Sequence, residues 1–403
     1  MTTLASPLIP SHSHAQPVAG INRLALGVAL GLLLLGGAHL WTAVSPRQAA
    51  LWLVGAMLGL SLYHSLFGFT HAWRAFITQG RGAGLRAQML MLALGVLLFF
   101  PALHLGSVLD QPVRGLVFPA GSAVVLGAFI FGAGMQLGGG CASGTLFNAG
   151  AGNLRLLITL IFFIAGTVLA ALQYSWWSAL PALEPVSLIQ SWGLWPALLA
   201  HLAFFGLVAL FSLIRERRRH GDAVRIAPWP AGRSTLWRGS WPLAWGALAL
   251  AVLNFATLLL AGRPWGIVSA FPAWGSRLIM LSDAYDPTEW PYWMKNLTPL
   301  ISPLQEDITS VMNIGLVLGA MTAAALAGRF ANDWKTTPRA ALASVVGGLM
   351  LGYGASLAFG CNIGAYFSGM LSGSLHAWFW LPSAFAGSLL GTALRPWFGL
   401  QRG

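Results

Sequence analysis

The sequence is short of charge. Only 8% of its 403 residues are Asp, Glu, Lys or Arg, while 57% are hydrophobic. A soluble globular chain carries about 25% charged residues, and so little charge cannot cover the surface of a water-soluble protein of this length. The acidic residues are fewest. All ten, from Asp110 to Asp333, fall in loops or at the ends of apolar stretches. Proton-driven carriers often place a carboxylate inside the membrane; here that device is missing, although a histidine relay through His64 and His71 stays open. Cysteine is scarce as well. Cys141 and Cys361 are the only two, which excludes a disulfide framework and a cysteine zinc site. There is no phosphate-binding loop, so the chain does not hydrolyse ATP by itself. No cofactor is implied.

The formal charge of +12 does not mark a nucleic-acid binder. The basic residues sit in short connections between apolar runs, where membrane topology places them, and no basic patch with interleaved aromatics stands apart. Stretches 116–153 and 156–183 carry no charge at all. Uncharged apolar runs of 18 or more residues read as membrane helices. Ten spans are expected, near 22–43, 48–73, 87–109, 116–140, 155–177, 191–214, 241–262, 308–328, 340–360 and 377–394. Three further apolar stretches, 141–152, 264–279 and 361–375, are rich in Gly, Ser or Pro and too short or broken to span. Such segments persist at membrane depth only inside protein or along a cavity. Residues 1–20 contain no Lys or Arg but much Pro, Ser and His. They read as a disordered cytoplasmic tail, since a cleavable signal needs a basic start and a short apolar core.

The charge bias sets an orientation. Residues 215–238 hold seven arginines, while 282–307 hold five acids against the single Lys295. The first belongs in the cytoplasm and the second outside, which puts both termini in the cytoplasm of a bacterial inner-membrane protein. The expected organisation is a tail (1–20), a first membrane half (21–214), a basic loop (215–240) and a second half (241–403).

An internal repeat is the most informative feature. At a constant offset of 220 residues, Gly127, Gly132, Gly134, Gly140 and Gly144 match Gly347, Gly352, Gly354, Gly360 and Gly364, and Leu137, Cys141 and Phe147 match Leu357, Cys361 and Phe367. A weaker echo joins the stretch around Gly68 to that around Gly266. By the charge bias, the span before Cys141 runs inward and the one before Cys361 outward. The fold class is therefore all-α polytopic, with two inverted repeats whose broken short helices meet near the midplane, where such folds bind their cargo. The first repeat covers about 48–177, and spans one and six are additions.

Consecutive glycines at 138–140 and the Phe359-Gly360-Cys361-Asn362 sequence unwind helices. A short helix starting after each cysteine would aim free N–H groups and a positive dipole end at an anion. Ser143, Thr145 and Asn362 add neutral donors, and the thiols offer soft, polarizable contacts suited to an anion carrying sulfur or selenium. The bland alternative is that membrane glycines pack helices and that the cysteines are filler; duplication of the whole pattern counts against it. His64 and His71, seven residues apart beside Gly68, read either as donors at a path entrance or as helix-to-helix hydrogen bonds. His201 and His376 read as structural. Arg74 and Arg155 read as snorkelling span-end residues or as attractors of anions at a cytoplasmic mouth.

The segments Gly132–Asn153 and Gly347–Gly364 resemble the signatures of the YeeE/YedE family of sulfur transporters, over roughly residues 50–395. The resemblance implies an hourglass-shaped protein that takes up thiosulfate, with cysteines lining a narrow central path. It also makes a cytoplasmic sulfur-carrier partner plausible. Cys141 and Cys361 match two of the family's cysteines. The third belongs to a Phe-Cys motif where this chain has Phe67-Gly68, so a three-cysteine relay cannot operate unchanged, and another sulfur or selenium species stays open.

The expected function is transport of a small sulfur-containing anion across the bilayer along a path through Cys141, Cys361, Gly140, Gly360, Gly68, Gly266, Ser143, Thr145, Asn362, His64 and His71, without enzymatic activity. The rival is a membrane-embedded protein using the thiols for sulfur-transfer or redox chemistry. That needs an activating base or a lowered thiol pKa, and no acid, Lys or Arg adjoins either cysteine in sequence. Topology gives the first test. Reporter fusions after residues 225 and 295 should be cytoplasmic and periplasmic, respectively; a periplasmic reporter at 225 overturns the antiparallel assignment of the repeats.

Overall fold

The computed structural model describes residues 20–227, 234–282, 285–331 and 334–402. The expected tail, apart from its last residue, and part of the basic loop lie outside these ranges. Helix α1 (Arg23–Ala43) starts on Asn22, whose side chain accepts from the Ala25 N–H at 3.1 Å. It buries only Ala25, Ala29 and Leu40, against neighbours α2 (Pro46–Ser65) and α16 (Ile308–Leu326). Helix α2 opens on a Ser45 cap and a proline in its first turn, a pairing that satisfies a free N–H and presets φ. After a break come α3 (Phe69–Gln79) and α4 (Ala83–Leu105), then a two-stranded hairpin of Ser107–Val108 with Gln111–Pro112. Helices α5 (Ser122–Gly138) and α6 (Ala142–Gly150) follow, split at 139–141, then α7 (Leu154–Leu172), short α8 (Tyr174–Ser178) and α9 (Leu188–Trp192), and α10 (Leu194–His220).

In the second half, short α11 (Ser234–Arg238) precedes α12 (Leu243–Ala261). A 3-10 turn (Val268–Ala270) and α13 (Phe271–Met280) come next, then α14 (Pro291–Met294) and α15 (Thr298–Ile301) in the stretch assigned outside. After α16, α17 (Pro338–Leu357) is broken before a π turn (Asn362–Phe367), α18 (Ser368–Leu371) and α19 (Leu375–Leu394). Among the described residues, nine helical runs are long and apolar enough to cross a membrane, with α2–α3, α5–α6 and α17–α18 each counted as one. The chain is an all-α polytopic membrane protein. The tenth expected span is α19, a helix of 20 residues that includes Trp378, Trp380 and Pro382 and lies outside those nine.

Two boundaries differ from the sequence expectation. The span expected from 116 begins at Ser122, because Pro119 sits in an extended lead-in. The span expected to end at 214 continues to His220, so Arg215–Arg219 are helical. Cations are favoured at a helix C-terminus, and the fully buried Glu216 anchors this end: Arg86 reaches it at 2.7 Å and Arg81 at 3.3 Å.

Glycines set the packing. Gly55 and Gly59 of α2 face Met312 and Leu316 of α16, and Gly315 and Gly319 face Trp52 and Ala56, so these helices run parallel. Helix α7 runs parallel to α17 (Thr159 at Gly348, Phe163 at Gly352), and α5 runs parallel to α19 (Phe129 at Gly387, Ala133 at Gly391). By contrast α5 and α17 are antiparallel, with Gly127 at Gly354 and Gly134 at Gly347. So are α2 and α12: Ser65 meets Gly246 at one end, and Arg47 reaches the Leu260 carbonyl at the other.

Exchanging α2 with α12, α3 with α13, α4 with α16, α5 with α17, α6 with α18 and α7 with α19 maps contacts onto contacts. The α2–α16 pairing becomes α12–α4, α5–α19 becomes α17–α7, α3–α19 becomes α13–α7, and α6–α16 becomes α18–α4.

A methyl on Gly59 would stand 2.0 Å from the Leu316 carbonyl oxygen, and one on Gly319 would stand 1.9 Å from that of Ala56. Backbone cannot yield as a flexible side chain does, and overpacking of this kind costs about 1–3 kcal/mol. Thermal unfolding in detergent should therefore show a clear loss for Gly59→Ala and Gly319→Ala. Gly27→Ala, with nothing within 4 Å of the added methyl, should match the wild type.

Candidate functional site

Four helix breaks converge. In the first, Leu66 turns left-handed (φ 48°) and Gly68 starts α3. In the second, Gly139 (φ 88°) ends α5 and Cys141 starts α6. The third runs from Gly262 (φ 70°) past Gly266 to the 3-10 turn. In the fourth, Phe359 (φ 57°) and Gly360 (φ 144°) lead to Cys361, which starts the π turn. The first break touches the second: the Phe69 backbone lies against the Cys141 sulfur, and Gln136 Nε2 donates to the Thr70 carbonyl at 3.2 Å. The third touches the fourth: a methyl on Gly364 would meet Gly266 Cα at 3.9 Å. Helix α6 contacts the π turn and joins the two pairs.

Both thiols are free and buried, Cys141 at 1% exposure and Cys361 at 0%. Cys141 Sγ lies 3.4 Å from Ser143 Oγ, and Thr145 Oγ1 donates to the Cys141 carbonyl at 2.8 Å. Cys361 Sγ accepts from the Ile363 N–H at 3.4 Å. Beside it the Asn362 amide is fully buried, and neither its nitrogen nor its oxygen has a partner among the described residues. Gly140 is tight, with its missing methyl 3.0 Å from Leu156 and 3.1 Å from the Thr145 nitrogen. Gly68 and Gly266 face open space, their nearest neighbours 3.9 Å and 4.0 Å from such a methyl.

The two histidines are not brought together. Helix α2 ends at Ser65 and α3 starts at Phe69, so helical spacing does not carry from His64 to His71. His64 is buried with its ring 5.4 Å from that of Trp241 and its Nδ1 close to Gly239. His71 instead joins Leu66, Gly68, Arg81 and Gln88 in lining a cavity of about 480 Å³. The basic loop borders this cavity through Val224. His201 stacks among Phe100, Phe205 and Trp378, and His376 Nδ1 lies 2.6 Å from Ser374 Oγ.

Several polar residues that hold the breaks open escaped the sequence reading. Asn254 accepts from the Trp265 N–H at 2.8 Å and donates to Ser368 Oγ at 3.2 Å, while Ser368 donates to the Trp265 carbonyl at 2.7 Å. Asn313 donates to the Ile267 carbonyl at 2.9 Å, and Trp380 to that of Gly360 at 3.3 Å. Arg263 donates to Thr309 at 3.0 Å, within 4.0 Å of the Gly266 methyl position. The available signal was an amide inside an otherwise apolar span, as at Gln136, Asn254 and Asn313, because such a group is costly in a membrane unless it is used.

Comparison with known proteins gives a consistent picture. A family model described as sulphur transport matches residues 64–390. The thiosulfate transporter TsuA of Spirochaeta thermophila is 29% identical over 87% of this chain and 98% of its own length. TsuA of Escherichia coli is 23% identical over 80% of this chain and 87% of its own. The probable transporter YedE of Escherichia coli is 32% identical over 38% of this chain and 36% of its own. These names describe transporters, not enzymes.

The breaks themselves can be probed. Gly360→Ala places a side chain in a backbone region that is essentially glycine-only and 2.9 Å from the Ala365 nitrogen, a strain of about 1–3 kcal/mol. Gly68→Ala carries neither penalty, since Gly68 has ordinary extended backbone, and its stability should stay within about 0.5 kcal/mol of wild type. Unfolding midpoints of the two variants in detergent check the contrast.

Proposed function

The chain belongs to the sulphur transport family, and on that premise we propose that it is an inner-membrane transporter or facilitated channel for a small sulfur-containing anion, with thiosulfate the leading candidate. The observation that carries this reading is the meeting of four helix breaks around two buried thiols with no carboxylate among them. Names of relatives similar over most of the chain point the same way.

The two halves act as inverted repeats. The antiparallel α5/α17 and α2/α12 pairs, together with the exchange of contacts, support a half-turn about an axis in the membrane plane. The anion arrives near Arg263 and Gly266, passes Cys361 and then Cys141, and leaves by the cavity lined by Gly68 and His71. Along this route it meets the N-termini of α3 and α6, which favour an anion through free N–H groups and a dipole equivalent to about half a charge. It also meets the soft sulfurs and the unspent amide of Asn362. A lysine in that place would bind too firmly to release the ion and would be costly to bury. Gly68 leaves the inner end without a third thiol, so two sulfurs and a glycine opening serve where a three-cysteine relay cannot.

Sulfur-transfer catalysis is the weaker reading, since among the described residues neither thiol hydrogen-bonds to a carboxylate or imidazole that could activate it. A sulfur-carrier protein is the proposed recipient at the cytoplasmic mouth, the side to which the charge bias assigns both termini.

Uptake of labelled thiosulfate into proteoliposomes tests the path. Cys141→Ala and Cys361→Ala should each reduce the initial rate at least about tenfold, equivalent to roughly 1.4 kcal/mol, at matched protein level. The serine variants should be intermediate or equally poor. Full uptake by the double alanine variant would return both residues to simple packing.

A further inference from the structure

Arg74, Arg155 and Arg395 come from three distant parts of the chain and end up together behind the Cys141 break. Arg155, in the first turn of α7, donates to the Leu137 carbonyl at 2.5 Å and to Ser344 Oγ at 3.3 Å, and its guanidinium lies 3.4 Å from the Gly139 methyl position. Arg395, just past α19 and 6% exposed, donates to the Gln136 carbonyl and the Gln401 carbonyl, both at 2.6 Å. Arg74 lies one turn after Thr70, the residue held by Gln136, and among the described residues its one side-chain hydrogen bond is to His71 Nδ1 at 3.4 Å. Arg155 and Arg395 thus meet at the last turn of α5, and Arg74 lies a turn from the Thr70 carbonyl that Gln136 holds there. Among the described residues none has a carboxylate partner; the ion pairs there join Arg81 and Arg86 to Glu216 and Asp222.

Helix capping accounts for part of this. Arg155 and Arg395 serve the last carbonyls of α5, as cations do at a helix C-terminus. But a helix end carries only about half a negative charge, so three cations leave roughly two and a half positive charges unmatched. An arginine has five N–H donors; Arg155 and Arg395 each use two sites, and Arg74 is almost unspent. Close by, Thr70 Oγ1 and Gln136 Oε1, in residues 4% and 0% exposed, have no hydrogen-bond partner among the described residues. Arg74 and Arg155 are half-buried and Arg395 is buried, and a buried ion costs several kcal/mol without a counter-ion.

We propose that Arg74, Arg155 and Arg395 form a second anion site, on the cytoplasmic side of the Cys141 break, that takes a small divalent oxyanion of the thiosulfate or sulfate class. The site rests on the transport reading above and extends it: the anion leaves weakly attracting thiols and N–H groups for a pocket whose charge matches its own, which draws it inward. A phospholipid phosphate shares this chemistry. The depth of Arg395 and the seating of Arg155 on Gly139 inside the helix bundle favour the free ion.

Purified protein in detergent, titrated with sodium thiosulfate or sodium sulfate, should gain thermal stability beyond a sodium chloride control of equal ionic strength. Arg74→Gln is the informative variant, because Arg74 holds no backbone carbonyl. It should unfold like wild type without added anion and bind the dianions about tenfold more weakly. In a Cys141→Ala/Cys361→Ala background, Arg74-dependent stabilisation should persist, which separates this site from the thiols. Persistence of that stabilisation even if wild-type protein transports nothing would support the site and count against transport alone. Unchanged dianion affinity in Arg74→Gln overturns the proposal, as does stabilisation by phosphatidylglycerol but not by the small dianions.

Discussion

A lipid interior offers no water to a broken helix, so each peptide group freed at a break needs a partner inside the protein. The rest of this structure follows from that requirement. Four breaks at membrane depth create orphan N–H and C=O groups, and a small set of polar side chains is spent on them. Asn254, Ser368 and Asn313 hold the backbone from Trp265 to Ile267. Gln136 secures Thr70, Trp380 secures Gly360, and Arg155 and Arg395 secure the end of α5. What stays unsatisfied is as telling: among the described residues both ends of the Asn362 amide and the Thr70 hydroxyl are buried without a hydrogen-bond partner beside these breaks.

Glycine answers a second demand. Helices that carry breaks must be supported by their neighbours, and in lipid that support comes from close van der Waals contact more than from hydrophobic burial. Gly55, Gly59, Gly315 and Gly319 bring α2 and α16 to backbone contact. Gly127, Gly134, Gly347 and Gly354 do so along the antiparallel α5–α17 seam, which lies directly behind the thiol turns. Abundant glycine thus plays two roles, rigid packing in the helices and left-handed or extended turns at the breaks.

Much of the fold was legible in the sequence because lipid imposes a coarse signal. Charge-free runs located the helices, and the glycine-cysteine repeat pointed to the short α6 and to the turn after Cys361. The His64–His71 relation was not legible, because it assumed one helix, while the chain turns between them at Leu66 (φ 48°), a residue type that seldom adopts that backbone. The end of α10 was missed because its arginines look like a loop until Glu216 is seen buried against Arg86. Nothing in the sequence around Arg395 marks its place; the parallel run of α19 beside α5 carries it back to the Gln136 carbonyl. Contacts of that kind depend on which helices are neighbours, and no local pattern records it.

The turns after the two cysteines are not copies. Cys141 opens an ordinary α-helix, whereas Cys361 opens a π turn with Asn362 where Ala142 stands in the first half. In a homodimer, one codon specifies both sides of a twofold interface, so a wider turn on one side forces a wider turn on the other. Here both sides are written in a single reading frame, and each can drift alone. Having both turns in one polypeptide therefore frees them to diverge, while the glycine seam between α5 and α17 keeps the helices behind them in register.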